Sequence, residues 1–245
     1  MNEGKLGKLP AEKDARTLLV KNYFGEPAHA LPKPKASAAW TAACKDPKMF
    51  GNDEWGDCVF AAVAHAIQTL SAVLGLEVTI STKTVVDEYL AYTHGVDDGA
   101  VLLEVLKILC SRGLFGRKPA LGFAAFDPSD HRLLAQCVDV FGGVIYGFGL
   151  PLSAQGKTVW DVVDGPTGVP WSWGGHAVYG GHHALQSVVV DSWAARIPAT
   201  LPFVDKHSDE GFVIILEEFL DSERRSASGV LVDNLIADLA LVRAA

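Results

Sequence analysis

A chain of 245 residues, 49% of them hydrophobic, can bury a sizeable core as one large domain or two tight lobes, which excludes disorder over most of its length. Its 29 acidic against 21 basic residues give a formal charge of -8 with no basic run, which disfavours a nucleic-acid partner, because phosphate binding needs clustered Lys and Arg. The first 25 residues, MNEGKLGKLPAEKDARTLLVKNYFG, hold no apolar signal core, and no segment reaches the length of a membrane span, so neither a secretory signal nor a membrane partner is expected.

Residues 1–44 are polar and punctuated by proline, as in GEPAHALPKPKASAAW, and predict an extended arm lying across the body. The Gly/Asp-rich run GNDEWGD then gives way to an apolar stretch. Asp57 is a suitable N-cap and Gly75 a stop, which predicts a helix from about Cys58 to Leu74. That helix is apolar nearly all round, so it belongs in a core; His65, Gln68, Thr69 and Ser71 argue against a membrane helix. Two more helices follow, STKTVVDEYLAYTHG capped by Ser81 or Thr82, and DDGAVLLEVLKILCSRG with Asp98 as cap and Gly113 as stop. A fourth, DPSDHRLLAQCVDVFG, begins after Pro128.

From about residue 143 the texture changes to short β-branched and aromatic runs between Gly and Pro: GVIYGFGL, GHAVYGGHHA, QSVVVDSWA and GFVIIL. The expected fold class is α+β, a helical lobe over about 58–140 and an antiparallel sheet lobe over about 141–220, with a site in the cleft between them. Residues 221–245 predict a C-terminal helical extension whose stripe of Leu231, Leu235, Leu239 and Val242 docks on its own domain or, alternatively, forms a homodimer contact.

The four cysteines, Cys44, Cys58, Cys110 and Cys137, are widely spaced and form no CxxC or Cys/His cluster, so thiols in a reducing cytoplasm are expected. Cys110 and Cys137 fall inside apolar helices as core residues, whereas Cys44 is expected at the surface. His65 reads as a satisfied core histidine. Cys58 is either a small buried hydrophobe or a nucleophile, because unpaired N–H groups and the helix dipole at a helix start favour a thiolate. Downstream, His176 follows two glycines and opens a strand, and Asp191 ends a β-type run from which a carboxylate could orient an imidazole. His182 and His183 with Asp191 lack further ligands at recognisable spacing, so no metal and no cofactor are expected.

The order Cys58, then His176 in an HAV strand, then Asp191 in a DSW turn resembles the papain-like cysteine peptidases, as a divergent intracellular member of bacterial or phage type. In that family a glutamine six residues before the nucleophile helps form the oxyanion hole; Asn52 stands at that spacing here. DGAVLLEVLKILCSRGLFG and GFVIIL resemble further family segments, so the resemblance spans about residues 45–217. It implies a two-lobe fold over 45–220 in which Cys58 forms an acyl-enzyme with His176 as base, Asp191 as orienter and Asn52 as oxyanion donor. Trp193, Gly175, Gly56 and Asp57 would line the cleft, with the Asp57 charge opposing thiolate formation beside Cys58. The surroundings WGDCV depart from the family's CGSCW, Asp191 replaces the usual Asn, and the arm is too short for a mature N-terminal strand plus a full inhibitory propeptide. An intracellular enzyme without zymogen control is what these three departures together suggest. Three readings stay open: a hydrolase of peptide or amide bonds, an acyltransferase or amide synthetase passing an acyl group from a thioester to an amine, and a non-catalytic structural protein with an idle triad.

Overall fold

A computed structural model of the chain describes residues 4–23, 31–76, 78–226 and 229–244, the side chains of 218 and 240–244 excepted. The central element is α1 (Cys58–Val73), in which every residue from Cys58 to Ser71 is buried, as its all-round apolar sequence requires. Two of its polar residues find partners inside the core: His65 Nε2 bonds the Lys48 carbonyl at 2.8 Å, and Ser71 Oγ donates to Gln68 O at 2.8 Å while accepting from Val78 N at 2.9 Å. Against α1 pack α2 (Thr82–Tyr92), capped by Ser81 through the Thr84 N–H, and α3 (Leu102–Arg112). α3 starts later than the sequence suggests, with Val101 rather than Asp98 at its N-cap. The cause is long-range: Ala100 donates to Gly7 O at 2.7 Å and accepts from Leu9 N at 2.9 Å, so its backbone is spent in extended pairing with the arm.

The sheet lobe is one antiparallel sheet in the order β2 (Gly122–Phe126), β7 (Ser208–Ile215), β3 (Val144–Leu150), β4 (Gly174–Ala184), β5 (Ser187–Ser192) and β6 (Ala195–Thr200), with β1 (Ala38–Ala39) also paired to β4. Strand periodicity sorts its side chains into two cores. Ile145, Ala177, Tyr179, Phe212 and Ile214 face the helical lobe. Tyr146, Phe148, Val178, Val190, Val213 and Ile215 face the opposite layer, which is completed by α4 (His131–Phe141), α5 (Leu201–His207) and α6 (Asp233–Ala244). Each such large side chain contributes roughly 1.5–3 kcal/mol of burial.

Two differences from the sequence expectation concern strands. β2 lies inside the segment expected to be helical; its GFAAF sequence carries little β-branched signal and becomes a strand by pairing with β7. β6 and α5 occupy ARIPATLPFVDKH, where Pro198 is tolerated because β6 is an edge strand, and Pro202 sits in the first turn of α5 after the Thr200 cap. At the C-terminus, Leu235, Ile236 and Leu239 of α6 are buried, and Leu239 covers Gly122 of β2, so this part of the stripe is used within the chain. Leu231 precedes the helix and is 49% exposed, and Val242 lies outside the described side chains. Cys44, expected at the surface, is buried: the Arg196 guanidinium reaches across to the Thr41 and Cys44 carbonyls and folds that segment onto the sheet. None of the four cysteines forms a disulfide. No helix among the described residues is long and apolar enough to cross a membrane.

Candidate active site

Cys58 is the first residue of α1, so its own N–H has no intrahelical partner and its side chain sits at the positive end of the dipole. The thiol is buried at the junction of the two layers, where Sγ accepts the Ala177 N–H of β4 at 3.5 Å and is also approached by the Gly7 N–H. Burial outweighs these donors and pushes the thiol up to about 11. Asp57 next to it has non-helical φ/ψ but makes no side-chain cap bond; both carboxyl oxygens are buried without a well-formed hydrogen bond. Desolvation raises its carboxyl to about 8 despite the Asn52 amide beside it. What negative charge Asp57 carries adds to the rise of the neighbouring Cys58 thiol.

His176 lies on β4 immediately before the residue that contacts Cys58. Its ring stacks on Trp193 with centroids 4.2 Å apart and meets the edge of Trp160, and this apolar burial lowers the imidazole to about 3. Nε2 is 2.7 Å from Ser192 Oγ, whereas Nδ1 is buried without a partner, so Nδ1 is the nitrogen left for the thiol. No hydrogen bond joins His176 to Cys58 or to Asp191 among the described residues. Asp191 instead lies 3.4 Å from Arg196 Nε, its neighbour across the β5–β6 pair, and burial holds its carboxyl up at about 6 against that cation's pull. Successive residues of a strand face opposite sides, and the β4–β5 register shifts between Tyr179 and His182, which sets Ser192 rather than Asp191 against the imidazole.

The tight β5–β6 turn aims the indole. Trp193 and Ala194 both have positive φ, 47° and 58°, in the two-residue connection between paired Ser192 and Ala195. Non-glycine residues there carry strain of roughly 1–2 kcal/mol each. Asn52 is buried, and Nδ2 donates to Trp55 O at 3.0 Å, closing the loop before α1. The same amide also faces the Asp57 carboxyl.

The arm fills the cleft. Lys5 donates from its backbone to Asn52 O at 2.6 Å, Gly7 and Lys8 both donate to Gly175 O at 3.2 and 3.0 Å, and Trp193 Nε1 donates to Lys5 O at 3.3 Å. The chains touch so closely that a Cβ on Gly7 would collide with the Gly56 carbonyl and one on Gly175 with the Lys8 carbonyl. Gly56 and Gly175 thus line the cleft as the diglycine and WGD patterns suggest, but against the protein's own arm. Sγ faces the N–H of Gly7, while the Gly7 carbonyl accepts from Ala100 N. Among the described residues no group of three or more His, Cys, Asp or Glu could hold a metal; His183 is instead paired with Asp139 at 3.0 Å.

No family model and no curated protein matches the sequence. Solved structures do: xylellain, a cysteine protease from Xylella fastidiosa, superposes with a TM-score of 0.67 at 15% identity over 88% of this chain and 97% of that one. A digestive procathepsin L2 of Tenebrio molitor gives 0.61 at 15% identity over 85% and 76%, and the proform of the ragweed cysteine protease Amb a 11 gives 0.60 at 16% over 88% and 69%. The chain has the papain-like fold.

Within this papain-like fold, the structure brings Cys58, Gly56, Asp57, Gly175, Trp193 and the strand of His176 to one cleft, with Asn52 in its wall. Asp191 is placed one residue off the imidazole. Sequence reasoning missed Ser192, Lys8 and Gly7. Ser192 was visible in the DSW turn, but only the register decides which of two neighbours faces the ring. For the arm, the signal was GKLGKLP, two lysines spaced by small or flexible residues before a proline, which composition alone reads as solvent-exposed.

Proposed function

We propose that the chain is a papain-like cysteine hydrolase of peptide or amide bonds, shut in this conformation by residues 4–9 of its own arm. The observation that carries the reading is the juxtaposition of a thiol on the first residue of α1 with a buried histidine whose Nδ1 has no other partner. When the arm leaves, water reaches both groups and the desolvation that holds them neutral is relieved, so proton transfer from Cys58 to His176 becomes favourable. The thiolate attacks the substrate carbonyl carbon; the Cys58 N–H and, once turned from the Asp57 carboxyl, the Asn52 amide stabilise the oxyanion. His176 then gives its proton to the leaving amine, and water deprotonated by the same ring releases the acid. Ser192 holds Nε2 and Trp193 shields the ring, while Asp191 pairs with Arg196 beside them. Transfer of the acyl group to an amine is the alternative outcome of the same intermediate, and thiols that form no disulfide suit a cytoplasmic setting.

The test is to trap the intermediate. Incubation of the Lys8→Ala chain with a peptide thioester should add one acyl mass to the Cys58 peptide in mass spectrometry, and not in Cys58→Ser. Prompt decay in buffer that millimolar small amines do not accelerate supports hydrolysis. Decay only with amine points to transfer, and no adduct at all points to a structural protein.

A further inference from the structure

The Lys8 side chain is fully buried although it belongs to a polar, proline-punctuated arm. Its ammonium sits in a built receptacle: 2.9 Å from Asp209 Oδ2, 3.0 Å from Glu210 Oε1, 3.1 Å from its neighbour's carbonyl at Leu9, and 5.1 Å from the centre of the Trp171 ring. The stem runs over Gly147 of β3, where any Cβ would collide with Lys8 Cε. Glu210 is 7% exposed at the side chain, and neither of its carboxylate oxygens receives a well-aligned hydrogen bond. A buried carboxylate in that condition is costly unless a cation with several donors faces it.

Three features make this a recognition pocket rather than a chance ion pair. It opens into the cleft, since Lys8 also bonds Gly175, the residue before His176. It is shaped by an absent side chain at Gly147 and roofed by Trp171, which takes φ 65° to lie there. And its two carboxylates stand side by side, both within reach of one ammonium and spaced to suit the fork of a guanidinium as well.

We propose that this pocket selects a lysine or arginine side chain of the substrate peptide, and that Lys8 occupies it only while the arm is closed. The inference rests on the hydrolase reading for the word substrate, but the pocket can be tested apart from catalysis. Two synthetic peptides serve as probes, GKLGKLPA and the same peptide with norleucine for its second lysine. By calorimetry the Lys8→Ala chain should bind the lysine form about ten-fold or more tighter, the range of a charge-assisted buried bond, and Glu210→Gln added to it should abolish the difference. Equal binding of both peptides overturns the proposal. Turnover is read separately in the native chain: peptides carrying lysine, arginine or norleucine at one position compete, and the ratio of their kcat/KM values does not depend on how often the arm is open. A basic preference of about ten-fold supports the pocket. Turnover without preference overturns it while leaving the hydrolase standing. Selective binding with no turnover and an inert Cys58 retains the pocket and removes the hydrolase.

Discussion

Asp57 and Cys58 are adjacent in sequence and share one desolvated environment, which pushes the carboxyl to about 8 and the thiol to about 11. For Asp57 the folded value lies above the unfolded one, so its contribution to stability is complete below the ordinary carboxylate range and is lost as pH rises toward about 8. Asp57→Asn mimics the protonated form. The melting temperature of Asp57→Asn minus that of the native chain should therefore grow from pH 5 to pH 8 and level off above it, by about 2–4 °C for each kcal/mol in a chain of this size. A difference independent of pH in thermal melts would show that the carboxyl is ionised throughout. The imidazole is the other residue-scale case. With Ser192 Oγ at 2.7 Å from Nε2 and Asp191 directed to Arg196, Ser192→Ala should lower kcat/KM about ten-fold or more and displace the acid limb of the pH profile. Asp191→Asn should have the smaller effect, and the reverse order in a pH–rate comparison would return the orienting role to Asp191.

At the scale of elements, the turn joining β5 and β6 holds two non-glycine residues at positive φ to set an indole on the imidazole. Ala194→Gly relieves strain of roughly 1–2 kcal/mol and gives back part of it as chain entropy. The expected result is a melting temperature up by about 1–3 °C with the near-ultraviolet signature of stacked Trp193 retained. The elements most legible in the sequence were those whose signals are local. The start of α1 at Cys58, the Ser81 cap of α2 and the alternation of GVIYGFGL needed no knowledge of the rest of the chain. What sequence could not give was set by distant partners: Asp98 fails as a cap because Ala100 pairs with Leu9 and Gly7, and GFAAF is a strand because β7 lies beside it. The same holds in the site. Cys58 and His176 are marked by their surroundings in the chain, while the choice between Asp191 and Ser192 rests on a register shift that no residue type announces.

For the whole molecule, the papain-like arrangement of α1 against the sheet creates a cleft, and the arm closes it with backbone bonds to both walls, at Asn52 and Ala100 on one side and Gly175 on the other. Residues 5–9 of the arm suffice to cross the cleft, and Lys8 anchors them. The arm is held in the cleft by these backbone bonds and by the Lys8 ion pairs with Asp209 and Glu210. Coupling follows between the arm and the reactivity of the thiol: loosening Lys8 should rehydrate Cys58 and bring its titration down from about 11. The most direct measurement is the rate of Cys58 alkylation by iodoacetamide across pH in the native, Lys8→Ala and Lys8→Ala/His176→Ala chains, with the modified residue located by mass spectrometry. The account predicts slow labelling of the native chain at pH 7, labelling about ten-fold or more faster in Lys8→Ala that persists below the ordinary thiol value of about 8.5, and loss of that gain when His176 is also removed. A rate that is the same in all three chains and follows an ordinary thiol would contradict it, since neither the arm nor the histidine would then govern the cysteine.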